Sequence, residues 1–330
     1  EGEKKETATD AKVTFTDLTL GYYLVDTSLG SLCSLDTTAP SVTIKEKNSD
    51  TTIEKKIVIT GDEKVDSNSA GIGDTVNFSI TITVKDGAPK GYVLHDKLSG
   101  LTFDPNSLEV KVGTTTLTAN TDYTLETNPA DGDSFDVKFK DGKLKTNDVV
   151  VVTYSATVAA NATIAGAGNK NTAKLVYNEK DSTKEETTTY VWKLNVHKYA
   201  LDSTNHEVAL SGAKFVLYRM DNGVKKYAKL TNKKIVGWVT DKDNATTLET
   251  SGTGDILIEG LNVGTYYLEE TEAPVGYNKL TEPIEVEITA TTSVTSGSET
   301  VQYKNSSETS YTPATDATVK VLNNAGTQLP

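Results

Sequence analysis

The segment DTVNFSITITV sets Val76, Phe78, Ile80, Ile82 and Val84 on alternate positions, with polar residues between them. A period of two puts the apolar side chains on one face of an extended strand, and no helical stripe has that spacing. The pattern recurs in SLEVKV, SFDVKFK, DVVVVTYSATV and NTAKLVY, separated by turn sequences such as KDGK and ETNPADGD. It returns in VWKLNVHKYAL, GAKFVLYR, KIVGWVT, GDILIEGL, GTYYLEE, PIEVEIT and ATVKVLNN. Many short strands with turn signals at this spacing predict an all-β chain built from tandem immunoglobulin-like β-sandwiches.

The 330 residues divide on this reading into a middle sandwich at 50–190 and a C-terminal sandwich at 191–330. Residues 1–49 hold only two strand patterns, AKVTFTDL and GYYLVD, too little for an independent core. They read as the remnant of a truncated N-terminal domain plus a linker. The run KDSTKEETTT has no apolar residue and reads as an exposed edge or a short linker.

Composition excludes several functions. Lys and Arg total 33 against 46 Asp and Glu, a net charge of −13 that repels phosphate backbones, so no nucleic-acid partner is expected. One cysteine, Cys33, forbids an internal disulfide, and it reads as a small core filler. Three histidines, His95, His197 and His206, read as surface or half-buried strand positions. No metal site, no cofactor and no turnover enzyme is expected from so few His and Cys. The oxygen-rich DKDNATTLETSGTGD lacks calcium-loop spacing and reads as a turn.

A chain without disulfides can still tie its strands together if a lysine amine displaces ammonia from an asparagine amide. The amine must be neutral, which burial favours; a carboxyl kept protonated by the same burial must polarise the amide; and the groups must be held in contact. The signature is therefore Lys on an early strand, Asn on the last and Asp or Glu between, all facing inward. Lys198 shares parity with Leu194 and Val196, Asn323 with Val319 and Val321, and Glu270 with Tyr266 and Leu268. Three inward polar groups on separate strands are costly unless they meet one another.

The segment YYLEETEAPVGY resembles the E-box of Gram-positive pilins, YxLxETxAPxGY, at every fixed position, with Glu270 at the catalytic one. GAKFVLYR and GDILIEGLNVGTYYLEE resemble blocks of collagen-adhesin type B (CnaB-like) domains. The C-terminal VLNNAGTQLP is similar to the run into an LPxTG sortase signal, whose Thr-Gly is not in this sequence. The resemblance implies a Lys198–Asn323 isopeptide formed with help from Glu270. The first sandwich is similar to the middle, collagen-adhesin type A (CnaA-like) domain of the same pilins. There the family's lysine strand matches TIEKKI, and Lys55, in phase with Ile53 and Ile57, is chosen over Lys56. GNKNTAKLVYN resembles the last strand and offers Asn171, with Asn169 of the same parity as runner-up. VLHDKLSGLTF resembles the family's acid-bearing stretch and offers Asp96, with Asp62 and Glu63 left open by pattern alone.

The function so implied is a structural backbone subunit of a covalently polymerised pilus, extracellular and attached to the cell wall. Its partners would be neighbouring pilin subunits, joined head to tail by a class C sortase. The acceptor lysine would be Lys47 in VTIKEKNSD, with Lys45 beside it; the Tyr-Pro pair that usually precedes it in the family is missing. The alternative is a cell-wall anchored adhesin binding a host surface protein or glycan. Tyr22-Tyr23 and Tyr266-Tyr267 alternate in and out of their strands and do not by themselves make the aromatic face an adhesin would use.

Overall fold

The computed structural model describes residues 3–5, 13–25, 31–44, 50–85, 89–178, 180–305 and 308–325. Among them every regular element is a strand apart from two one-turn 3-10 segments, Thr60–Asp62 and Lys242–Asn244. Among the described residues no helix is long and apolar enough to cross a membrane.

The middle region is two facing sheets. One carries Thr52–Val58, Thr75–Thr83, Val149–Val158 and Leu101–Val112 as consecutive antiparallel neighbours. The other carries Tyr123–Thr127, Phe135–Phe139, Val93–Leu98, Asn169–Tyr177, Glu185–Tyr190 and Ser67–Ser69. The expected strand at 76–84 is there, and Val76, Phe78, Ile80 and Ile82 are buried with Leu94, Phe135, Val137, Val152 and Leu175 from both sheets. That shared apolar filling is what holds two half-solvated sheets face to face.

The C-terminal region folds one continuous path of strands over on itself. From Trp192–Leu201 the path runs through Asp255–Leu261, Lys234–Val239, Val224–Thr231, Lys214–Asp221, Gly264–Glu272 and Ile284–Thr292 to Gly297–Lys304. The last strand, Thr318–Leu322, lies parallel beside Trp192–Leu201, pairing Val319 with Val196 and Val321 with Lys198. Residues from both ends of the path, such as Leu194, Val196, Leu268, Val286 and Val321, share one core.

Three expectations are corrected. KDSTKEETTT is exposed only in its first half: Glu185–Tyr190 is an interior strand between Asn169–Ala173 and Ser67–Ser69, and Thr187, Thr188 and Thr189 are buried. One face is covered by the loop Ser293–Val294 of the C-terminal sandwich, which accepts from Tyr190 Oη at 3.0 Å and Thr188 Oγ1 at 2.7 Å, while Thr187 and Thr189 lie opposite Asn171 and Asn169 inside the middle sandwich. AKVTFTDL contributes no strand over its described residues; the N-terminal hairpin instead pairs Gly21–Val25 with Ser31–Leu35. Cys33, opposite Tyr23 in that hairpin, is half-buried rather than a core filler, since among the described residues the hairpin is a sheet of two strands only.

The two sandwiches also meet at the junction. Ile72 N–H donates to Gly260 O at 3.0 Å, and the Trp192 indole to Ser69 Oγ at 2.9 Å. Gly260, at φ +95°, is needed here: a Cβ would lie 2.8 Å from the Ile72 side chain.

Candidate functional site

In the C-terminal sandwich alternation along Trp192–Leu201 buries Lys198 beside Val196, and alternation along Thr318–Leu322 carries on to bury Asn323 after Val321. Glu270 comes from the strand Gly264–Glu272, on the opposite limb of the folded sheet. The E-box turn brings the two together. After a left-handed Gly276, Tyr277 bridges Ala325 and Asn278 N–H donates to Asn324 O at 3.0 Å, which ties the end of the E-box to the residues after Asn323.

The three side chains meet out of contact with water. Lys198 Nζ donates to Asn323 Oδ1 and stands 3.1 Å from Glu270 Oε1. Asn323 Nδ2 donates to the same Oε1 at 3.3 Å. Leu280 N–H donates to Oε2 at 2.7 Å, which turns the other carboxyl oxygen toward both nitrogens. Burial, opposed by the nearby Glu270, pulls the Lys198 amine down to about 8, and the Phe215 ring lies 5.5 Å from it. An amine in that range has a sizeable neutral fraction near neutrality, which is the nucleophilic form.

The middle sandwich assembles a second set across its two sheets. Lys55 and Tyr154 project from one sheet, Asp96 and Asn171 from the other. Lys55 Nζ donates to Asp96 Oδ2 and, at 2.7 Å, to Tyr154 Oη. Tyr154 Oη donates to Asp96 Oδ2 at 3.0 Å and accepts from Asn171 Nδ2 at 2.8 Å. Burial lowers the Lys55 amine and raises the Asp96 carboxyl, and it pushes the Tyr154 phenol well above its ordinary value. Two acceptors in the pocket, Asp96 Oδ1 and Asn171 Oδ1, have no hydrogen-bond partner.

Of the residues left open, Asn169 is also buried, but its amide bonds Thr163 N–H, Thr163 O and Thr189 O at 2.8, 3.0 and 3.1 Å, a backbone-bracing role. Asp62 and Glu63 are exposed near the 3-10 turn. Lys45 and Lys47, and the final Gly326–Pro330 run, lie outside the described residues. Sequence reasoning missed Tyr154. The signal available was its parity with Val150, Val152 and Ala156 in DVVVVTYSATV, which points a hydroxyl into the core.

With this geometry in view, comparison with known proteins is specific for the C-terminal half. Residues 193–305 match the family described as SpaA, prealbumin-like fold domain. The SpaA stretch contains Lys198 and Glu270, while Asn323 falls beyond its end. No curated protein matches the chain by sequence. Among solved structures the chain is similar to the group B streptococcus pilus 2b backbone protein, with 24% identity, 83% of this chain and 98% of that one covered, and a TM-score of 0.60. The full-length major pilin RrgB of Streptococcus pneumoniae gives 17% identity, 90% and 78% coverage and a TM-score of 0.63. A 35 kDa C-terminal fragment of the major pilin GBS80 of Streptococcus agalactiae gives 18%, 84% and 100%, and 0.58. The SpaA match agrees with a β-sandwich in the C-terminal region, and these likenesses agree with the tandem fold of the whole chain.

Proposed function

We propose that this chain is a structural subunit of a covalently joined cell-surface pilus, in which each sandwich is locked by a self-formed isopeptide bond. The carrying observation is that a lysine, a carboxyl group and an asparagine, each on its own strand, converge in both sandwiches with their side chains buried. An unreacted buried Lys–acid pair is expensive to keep, so its occurrence twice speaks for chemistry.

The step balances simply. The neutral Lys198 amine attacks Asn323 Cγ, the Cγ–Nδ2 bond breaks, and the proton lost by the amine leaves on Nδ2 as ammonia. Glu270 Oε1 lies within reach of both nitrogens and can pass that proton from one to the other. In the middle sandwich Lys55 attacks Asn171 Cγ in the same way. A proton on Asp96 Oδ1 turns one of the two unsatisfied acceptors into a donor for the amide carbonyl, which is the polarisation the attack needs. Each site reacts once, so the chain is a substrate of its own chemistry and not a turnover enzyme.

The likeness to solved pilus backbone proteins, the E-box and the Leu-Pro ending support the wider reading: head-to-tail joining of neighbouring subunits by a class C sortase, with Lys47, or Lys45 beside it, as acceptor, on the surface of a Gram-positive cell wall. The test is the intact mass of the purified chain under denaturing, reducing conditions. Each bond removes one ammonia, about 17 Da. Two losses, with Lys198–Asn323 and Lys55–Asn171 found as branched peptides, are expected; an unshifted mass overturns the self-crosslinking.

A further inference from the structure

Alternation in Val93–Leu98 sends Leu94 and Asp96 into the core and His95 to the outer face of its sheet. Across the ladder His95 pairs with Asp136, which alternation in Phe135–Phe139 likewise turns outward. The turn that leads into this second strand folds back over the pair and adds Asp131 and Asp133. Asp131, Asp133 and Asp136 each place a carboxylate oxygen near His95 Nδ1, at 3.4, 3.2 and 2.9 Å. One ligand atom from each of the four residues lies within 4.8 Å of every other.

Asp136 makes this more than an acidic surface. Its side chain is only 3% exposed, although it stands on the outer face of a sheet. Its Oδ1, aimed at His95, has no hydrogen-bond partner, nor has His95 Nδ1; the 2.9 Å approach of the two lacks hydrogen-bond alignment. On the same face Lys138 bonds Glu126, Lys174 stands 3.9 Å from Asp181, and Lys97 is exposed. Three carboxylates crowd one imidazole nitrogen, and a buried carboxylate oxygen with no hydrogen-bond partner is costly.

We propose that His95, Asp131, Asp133 and Asp136 bind one divalent first-row transition-metal ion, Zn2+ or Mn2+, on the outside of the middle sandwich. Ligand atoms roughly 2.0–2.2 Å from a tetrahedral centre stand about 3.3–3.6 Å from each other, so the carboxylates, already 2.9–3.4 Å from His95 Nδ1 and with all four ligand atoms within 4.8 Å of one another, would draw together by up to about an ångström around the ion. One nitrogen and three oxygens suit Zn2+ or Mn2+, whereas Ca2+ takes oxygen ligands only. The ion would pin the turn to the two strands it covers, in a chain with no disulfide to do so.

The full-length chain, stripped with EDTA and dialysed, is titrated with ZnCl2, MnCl2 and CaCl2 by calorimetry. Saturable binding of one Zn2+ per chain is expected, with Mn2+ weaker and Ca2+ weaker still. Asp136→Asn, and Asp131→Asn on the more exposed part of the turn where folding is not at stake, should each weaken Zn2+ by roughly tenfold or more. His95→Gln should remove the preference for Zn2+ over Ca2+. His206→Gln, at an exposed turn elsewhere, should change nothing. Absence of saturable binding, equal affinity for Ca2+, indifference to the three site substitutions, or loss of binding in His206→Gln overturns the proposal.

Discussion

Glu270 Oε1 stands 3.1 Å from Lys198 Nζ, and neither side chain has any surface exposed to water. The same oxygen accepts from Asn323 Nδ2, so one acid atom touches both the attacking and the departing nitrogen. Glu270→Gln keeps the shape and removes the proton shuttle. The C-terminal bond should then fail to form, raising the intact mass by about 17 Da, while the middle sandwich keeps its own loss. Calorimetry should show the C-terminal transition at lower temperature, since a closed loop of this length contributes about 5 kcal/mol in the chain-entropy account.

Tyr154→Phe tests the residue that alternation alone did not single out. The ring keeps its packing against Phe78, Phe103 and Phe135, but the hydroxyl that links Lys55, Asp96 and Asn171 is gone. Bond formation in the middle sandwich should slow, seen as a mixture of masses about 17 Da apart that resolves with incubation. Before reaction the fold should lose about 1–3 kcal/mol for the unpaired groups.

The two asparagines of GNKNTAKLVYN separate by mass. Asn171→Ala should restore about 17 Da, because the amide carbon under attack is missing. Asn169→Ala should leave both losses intact and cost about 2–3 kcal/mol in chemical denaturation, through its three hydrogen bonds to backbone.

Lys198 supplies a pH test in Asn323→Ala, where the amine is present but cannot react. Burial lowers the folded-state value to about 8 from 10.5, so above pH 8 the unfolded chain holds more protons than the folded one. Stability should therefore rise as pH climbs from about 8 to about 10.5, by about 3 kcal/mol at most. Other groups titrate in the same window, so the measurement is the difference between Asn323→Ala and Asn323→Ala/Lys198→Met, each followed by urea unfolding. A flat difference would contradict the depressed amine.

Gly260→Ala probes the contact between sandwiches. The new methyl would press on Ile72 at a left-handed φ of +95°, and overpacking of this kind costs about 1–3 kcal/mol. The expected result is earlier proteolysis at the junction with both mass losses unchanged.

Period-two alternation made much of this legible. It is enough to turn Lys198, Glu270 and Asn323 inward and to separate Lys55 from Lys56, because a one-residue shift reverses the face. It could not separate Asn169 from Asn171, which share a parity; what divides them is which one meets the facing sheet. Nor could it find the strand Glu185–Tyr190, whose Thr188 is buried by the neighbouring sandwich and whose Thr187 and Thr189 are buried in their own without any apolar pattern to announce it. Tyr154 was hidden for the opposite reason, since a tyrosine among valines reads as core filling. The grouping of His95 with Asp136 depends on strand register, which nothing local in either segment records.

The placement of the paired lysines and asparagines has a mechanical consequence. With both bonds closed, a pull along the chain enters the middle sandwich at Lys55, crosses directly to Asn171, follows the backbone to Lys198 and leaves through Asn323. Only the 27 steps between residues 171 and 198 (198 − 171 = 27) carry load between the two crosslinks, and they run through Asn169–Tyr177, Glu185–Tyr190 and Trp192–Leu201, strands already clamped at the junction. The folded cores hang off this line as side loops. Such a fibre would lengthen by the slack of one short connector and then stop, behaving as a nearly inextensible cord instead of a spring that unravels domain by domain.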